Sequence, residues 1–310
     1  MCLSCQIMRK MTWTDTLNDN WILAIVILCI LQLPILYTLF PKVKYYMKMA
    51  LYYLTIFVSS SCGAPVCITT YFQNRGGTNA FAVFNIFASW INVEIELRGK
   101  EKLEEDGSAV LVSNHQSALD ILSMGKCWPD RCTCMMKKSL AYIPGFNLTA
   151  FLCNAIFVDR FNHDKAYQAL ESAVKTILEK NLKIWVFPEG TRFNGKGMLP
   201  FKKGAFNIAI QAQIPIVPIV VSYYGNFYSN KDKIFKDRGQ IIVQVLDPIS
   251  TKGLTKEDVP DLTEKIRNIM LEEFEKISTE AEEKQKIVDA EENKKLKENS
   301  IGFEYGEFWK

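Results

Sequence analysis

Between Trp21 and Phe40 the chain runs WILAIVILCILQLPILYTLF, twenty residues without a charge. A helix rises about 1.5 Å per residue, so this run spans the roughly 30 Å hydrocarbon core of a bilayer. A secretory signal is the competing reading. The run is long for one, and Pro41, Lys42 and Lys44 follow it where a small-residue cleavage site would stand. A retained anchor is therefore expected, with helices over about 21–40 and 49–74. The second run carries Ser59, Ser60, Ser61, Gly63 and Pro65 in its middle. Pro65 removes a helix hydrogen bond that nearby serines can replace, which suits a kinked or re-entrant helix. A shorter apolar stretch, Ala80–Ile91, follows.

Composition sets the rest of the chain apart. Hydrophobic residues make up 48% of the 310 and charged residues 23%, too apolar for an ordinary soluble domain and too charged for a polytopic bundle. One water-facing domain plus an anchor fits. The net charge of +3 hides a gradient: residues 1–90 hold six basic against two acidic residues, whereas residues 255–310 hold ten against sixteen. A basic middle beside an anchor suits anionic headgroups or phosphorylated substrates, and no nucleic-acid motif appears. The nine cysteines are scattered, an odd number without matched zinc spacing, and imply neither a disulfide framework nor a metal site. Reduced thiols place the domain in the cytosol. The Lys42, Lys44, Lys48 cluster would put the loop between the apolar runs there too, and a helical hairpin dipping into one leaflet reconciles both.

Past Gly99 short apolar runs alternate with amphipathic segments, the pattern of an α/β domain with a mostly parallel sheet. Strands are expected at Val93–Leu97, Ala109–Ser113, Ala155–Val158, Lys183–Phe187, Ile216–Ser222 and Ile241–Leu246. Helices are expected at His163–Lys180 and Asp261–Ile277, the latter with Leu262, Ile266, Ile269, Met270, Phe274 and Ile277 on one stripe. The division is thus 1–90 anchor, 91–277 α/β domain and 278–310 a charged tail, read as a solvated helix and a flexible end.

Two constellations carry chemistry. In Ser113-Asn-His-Gln-Ser-Ala-Leu-Asp120, His115 and Asp120 stand five apart, about 500° of helical rotation and opposite faces of a strand. They meet only if His115 lies in a strand-to-helix turn and Asp120 in the first helical turn. There the carboxylate could fix the imidazole tautomer and leave the other nitrogen as a general base. Ser117-x-x-Asp120 also reads as a capping box, and the two roles are compatible. In Val186-Phe-Pro-Glu-Gly-Thr-Arg-Phe193, Pro188 and Gly190 force a turn after a strand, leaving Glu189, Thr191 and Arg192 where α/β folds place ligands. Arg192 offers a planar fork suited to phosphate, and Lys202, Lys203 and Gly204 follow a short loop later. An ordinary surface turn is the alternative for this motif taken singly.

Together the motifs resemble the 1-acylglycerol-3-phosphate (lysophosphatidic acid) acyltransferases of the membrane glycerolipid acyltransferase family, over about residues 90–275. Asn114-His-Gln-Ser-x-x-Asp120, Phe187-Pro-Glu-Gly-Thr-Arg192 and Ile214-Pro-Ile-Val-Pro218 match its first, third and fourth blocks, and Lys137–Arg160 aligns with the second. There Ser139 replaces a common Glu, and Asn147 and Asn154 stand where glycine is usual. The resemblance implies a glycerolipid-acyltransferase-like α/β fold behind an N-terminal membrane-helix hairpin. It implies catalysis by His115 and Asp120, and substrate binding by Glu189, Gly190, Thr191, Arg192, Lys202, Lys203 and Pro215. It further implies acyl-CoA as donor, lysophosphatidic acid as acceptor, no cofactor or metal, and an integral protein of the endoplasmic reticulum. A remodelling enzyme for another lysophospholipid and a silent phosphatidate-binding membrane protein are the alternatives. An esterase is disfavoured because G-x-S-x-G is missing. His163 is expected to be exposed and inert, and the sequon Asn147-Leu-Thr149 to be chance.

Overall fold

The computed structural model describes residues 13–158 and 163–304. In chain order the helices are α1 (Trp13–Leu39), α2 (Pro41–Thr69), α3 (Gly76–Phe87), α4 (Glu101–Glu104), α5 (Asp120–Cys127), α6 (Phe146–Leu152), α7 (His163–Lys180), α8 (Gly204–Ala212) and α9 (Val259–Glu304). The strands are β1 (Val93–Arg98), β2 (Ala109–Ser113), β3 (Cys132–Lys137), β4 (Ile156–Val158), β5 (Lys183–Val186), β6 (Ile216–Val221), β7 (Tyr228–Ser229), β8 (Ile234–Phe235) and β9 (Gly239–Val245). The seven-stranded sheet has the order β1-β9-β6-β2-β5-β3-β4. Strands β6, β2, β5, β3 and β4 run parallel, and β9 meets β6 antiparallel, carrying β1 parallel to itself.

Strand β2 is buried on both faces, as the centre of such a sheet must be. Leu111 joins a core with Tyr52, Phe84, Trp185 and Ile219, under α2, α3 and α5. Val110 and Val112 join a second with Ile177, Phe206, Ile266 and Phe274, under α7, α8 and α9. The result is three layers. Pro218 sits inside β6 opposite Val112 without breaking the sheet. Its carbonyl accepts from Leu246 N, so its missing donor faces the β9 side, beyond the last ladder pair.

The expected elements recur with three differences. The helix expected beyond Ser278 is continuous with α9 to Glu304, but it is not solvated all round: Ala281, Gln285 and Val288 are buried and make it a strap; residues 305–310 lie outside the described residues. Ala, Gln and Val are too small or too polar to register as an apolar stripe. Secondly, two apolar N-terminal helices are present, but Lys42, Lys44 and Lys48 lie in the first turns of α2 and not in a loop. Phe40 alone is extended between the helices, with φ −120° and ψ 102°. Residues 23–35 of α1 are exposed, so α1 does not pack along α2. Thirdly, packing ignores the boundary at residue 90: Tyr45, Met49 and Tyr52 of α2 belong to the same core as Leu111 and Trp185. Lys44 and Lys48 both pair with Asp237, beyond β8.

Helix α2 is long and apolar enough to cross a membrane. Its outer face exposes Leu54, Phe57 and Ile68, and beside it Phe72 is 93% and Ile86 73% exposed. The seven described cysteines are free thiols; Cys2 and Cys5 lie outside the described residues, as do Asp159, Arg160 and Asn162 and the side chain of His163.

Candidate active site

Strands β6, β2 and β5 are neighbours and end on the same edge, so the turns after Val221, Ser113 and Val186 are forced together. The turn after β2 is built by its own polar side chains. Asn114 acts as an extra sheet residue: its Oδ1 accepts from Val221 N at 2.8 Å and its Nδ2 donates to Val221 O at 2.9 Å. Gln116 Nε2 donates to the carbonyls of Val221 and Ser222 at 3.1 and 2.9 Å. Leaving one such buried group unpaired costs about 1–3 kcal/mol, so the turn is rigid.

That turn delivers His115 to Asp120, the first residue of α5, with Nδ1 2.5 Å from Oδ2. An ionised carboxylate only accepts, so Nδ1 carries the proton and Nε2 keeps its lone pair. Asp120 is 3% exposed and multiply held. Its Oδ2 accepts from the backbone N of Gln116 at 2.9 Å and of Ser117 at 3.2 Å, and its Oδ1 from the Tyr224 hydroxyl. Ser117 Oγ accepts from Leu119 N at 2.9 Å, a bond within the turn; α5 starts without a side-chain cap, so the capping box read from the sequence is not formed. Burial, then the neighbouring Asp120, pushes the Tyr224 phenol well up, keeping it a donor. Phe187 stacks on the imidazole at 4.1 Å between centroids and 18° between planes.

The turn after β5 places the residues of the other motif unequally. Glu189 is 3% exposed and turned inward: Oε1 accepts from His115 N at 2.7 Å and Oε2 from Leu199 N at 2.8 Å. It clamps the histidine's backbone to the next loop, and offers no free oxygen pair to a substrate as the sequence reading supposed. Burial pushes the Glu189 carboxyl pKa above the ordinary carboxylate value, and the two N–H groups offset part of that. Phe193 N donates to His115 O at 2.8 Å, a second stitch between the turns. Gly190 has φ +69°, and the Lys202 side chain lies so close over it that a Cβ would come within 2.7 Å of Nζ. Thr191 and Lys203 are exposed, Lys203 immediately before α8.

Arg192 is exposed and, among the described residues, has no ion pair. It lines a cavity of about 240 Å³ with Ser117 and Ala118 of the catalytic turn and Tyr45, Met49 and Tyr53 of α2. Pro215 is not brought here. It stands at the entry to β6, its carbonyl accepting from Val110 N at 2.9 Å, at the opposite end of the sheet from His115. As a strand-entry residue it helps to close the sheet and cannot touch a substrate at His115.

Residues without a sequence signal complete the site. Tyr224 is 104 positions from Asp120 and Tyr52, whose hydroxyl donates to Ala118 O at 2.6 Å, is 66 from its partner. For Tyr224 the available clue was a third strand ending on the same edge. In the second block Gly145 (φ +77°) and Asn154 (φ +56°) have positive φ, which is how Asn154 serves where glycine is usual; Asn147 lies within α6 and has no such requirement. Thr149 of the sequon is buried with its hydroxyl on Ser60 O at 2.6 Å.

The fixed imidazole–carboxylate pair on the carboxyl edge of this α/β sheet lies within residues 94–222, which match the family described as Acyltransferase. A putative 1-acyl-sn-glycerol-3-phosphate acyltransferase of Caenorhabditis elegans is 44% identical over 253 residues, 81% of this chain and 89% of its own length. Human 1-acyl-sn-glycerol-3-phosphate acyltransferase alpha is 39% identical, over 80% of this chain and 87% of its own. The chain belongs to this acyltransferase family. The crystal structure of the 1-acyl-sn-glycerophosphate acyltransferase PlsC from Thermotoga maritima shares the fold, with a TM-score of 0.58 at 21% identity over 76% of this chain and 98% of that one.

Proposed function

We propose that the protein transfers a fatty acyl group from acyl-CoA to the free hydroxyl of 1-acyl-glycerol-3-phosphate, releasing phosphatidic acid and CoA. The observation that carries this is the oriented His115–Asp120 pair beside a cavity holding Arg192, in a chain whose relatives bear that acceptor in their names. The acceptor hydroxyl gives its proton to His115 Nε2 while its oxygen forms the new ester bond at the thioester carbonyl. The C–S bond then breaks and the imidazolium returns the proton to the CoA sulfur. Asp120 holds and stabilises the imidazolium, Glu189 holds the turn, and Arg192 binds the acceptor phosphate. No cofactor or metal enters this scheme.

The apolar outer faces of α1 and α2 support membrane association, and the substrate is a bilayer lipid; we assign the protein to the membrane of the endoplasmic reticulum as an integral component. The test is an assay of the full-length protein in detergent with acyl-CoA against lysophospholipids bearing different headgroups. Preference for the phosphate monoester supports the reading. Preference for a choline or ethanolamine lysolipid would move the remodelling alternative to first place, and no transfer to any acceptor would leave the silent lipid-binding one.

A further inference from the structure

The cavity beside the catalytic turn has a second charged wall that no motif contains. Its lining includes two charged side chains, Arg192 and Lys233, both cationic, and no carboxylate. Lys233 stands in the turn of the β7–β8 hairpin. Its ammonium donates to Asn230 Oδ1 at 3.0 Å and lies 5.3 and 5.8 Å from the ring centres of Tyr45 and Tyr46. Neither contact neutralises it. The hairpin is fixed against the anchor helix: the Tyr45 hydroxyl donates to Asn230 Oδ1 at 2.8 Å, and Tyr228 stacks on Tyr45 at 6.1 Å. Lys233 also has φ +57°, a conformation glycine or asparagine adopts with less strain. A lysine held there at a steric cost, lining a cavity with no carboxylate among its described lining residues, points to an anionic ligand.

We propose that Lys233 is a second ligand for the acceptor phosphate, and that with Arg192 it makes the cavity selective for lysolipids whose phosphate is a monoester. This rests on the acceptor assigned above and names the residue that reads its headgroup. A phosphate monoester carries about −1.5 to −2 charges at neutral pH, whereas a diester carries one and brings an alcohol that must fit between the cations. Arg192 supplies a planar fork from the turn after β5, and Lys233 a point charge from the β7–β8 turn. Tyr45, Met49 and Tyr53 form the apolar side of the same cavity, where the acyl chain of a lysolipid can lie. The anchor helix would then be part of the acceptor site as well as of the anchor.

The test is acceptor kinetics of the full-length protein in neutral detergent micelles at saturating acyl-CoA, with lysophosphatidic acid and lysophosphatidylcholine side by side. Lys233→Gln should raise the KM for lysophosphatidic acid roughly tenfold and reduce selectivity over the choline lipid by a similar factor, with the acyl-CoA KM unchanged. Lys233→Arg should recover most of the loss. Lys233→Gly relieves the left-handed backbone and cannot fail for steric reasons, so it should show the same KM defect at undiminished thermal stability. Unchanged acceptor KM in the Gln and Gly variants overturns the proposal. So does a defect seen only on anionic vesicles and not in neutral micelles, which would make Lys233 a bilayer contact. A wild type that prefers the choline lipid is a separate failure: it removes the acceptor assignment itself, and the role of Lys233 with it.

Discussion

At the scale of single residues, the proposed reaction divides the site into groups that would meet the substrate and groups that hold them. His115 is in the first class. His115→Ala should remove at least two to four orders of magnitude of transfer, the usual worth of a positioned base, while the thermal midpoint hardly moves, because the Asn114, Gln116 and Glu189 bonds that build the turn remain. Asp120→Asn keeps the volume, but its amide would donate where Oδ2 accepts from Nδ1, Gln116 N and Ser117 N, favouring the wrong tautomer and costing roughly two to four orders in kcat besides some stability. Glu189 is in the second class. Glu189→Gln replaces one acceptor oxygen by a donor facing a buried N–H, an expected destabilisation of about 1–3 kcal/mol. If it is a clamp, kcat should fall through a misplaced His115 while the acceptor KM changes little; a rise in KM alone would return it to the substrate. The sequence made the pairing of His115 with Asp120 legible because both lie within one turn. It could not separate a substrate contact from an inward clamp at Glu189, because a carboxylate three residues from an arginine looks the same in sequence whether it faces out or in.

At the scale of elements, legibility followed side-chain type. Strand β2 and helix α7 have the bounds read from the sequence, since Val and Leu between turn residues and a regular amphipathic period each leave one reading. Strand β3 was missed because CTCMMK contains no β-branched aliphatic residue. Helix α8 was missed because it starts without a capping side chain after Lys203. The last half of α9 reads as a helix but as a solvated one, because charge density hides a buried Ala281, Gln285 and Val288. This strap is bound by more than apolar contact. Gln285 Oε1 accepts from Gln240 N on β9 at 3.0 Å, Lys236 pairs with Asp289 at 2.6 Å, and Arg98 on β1 meets Glu280 at 2.5 Å. Ending the chain after Ser278 should therefore destabilise the sheet edge as well as shorten the protein, and we expect a lower thermal midpoint and loss of protection at β1 and β9 in hydrogen exchange. The Arg98 and Lys284 partners hold the Glu280 carboxyl down to about 2. A depressed carboxyl contributes stability above its unfolded value, near 4.5, and loses it as pH falls toward the folded one. The group is largely solvated, so each exposed pair is worth less than about 1 kcal/mol. The difference between wild type and Arg98→Met should accordingly be small at pH 6 and vanish by about pH 2, as measured by the thermal midpoint.

At the scale of the whole molecule, anchor and domain are one packing unit on one side and separable on the other. Helix α1 is exposed along residues 23–35 and touches the domain near its end, where the Tyr37 hydroxyl reaches Asp237. Helix α2 buries Tyr45, Met49 and Tyr52 in the core and ties the catalytic turn through Tyr52 to Ala118 O, while its outer face stays apolar and exposed. Removing residues 1–39 should leave the fold and transfer activity near wild type and weaken membrane attachment. Removing residues 1–74 should do something different in kind, because it strips three buried side chains from the core. At roughly 1.5–3 kcal/mol for each buried large side chain, that loss is comparable to the whole stability of an ordinary domain. The shorter product should aggregate or unfold and lose activity without being released cleanly into solution, since Ile86, Leu148 and Phe151 remain exposed. The measurements are alkaline carbonate extraction of membranes, circular dichroism of the purified proteins and the transfer assay, each on the full chain and both truncations. If carbonate strips the full-length protein from membranes, the integral-anchor assignment fails. A 1–74 deletion that is soluble, folded and active would show instead that α2 only tethers the domain, and that its tyrosines contribute neither to the core nor to the catalytic turn.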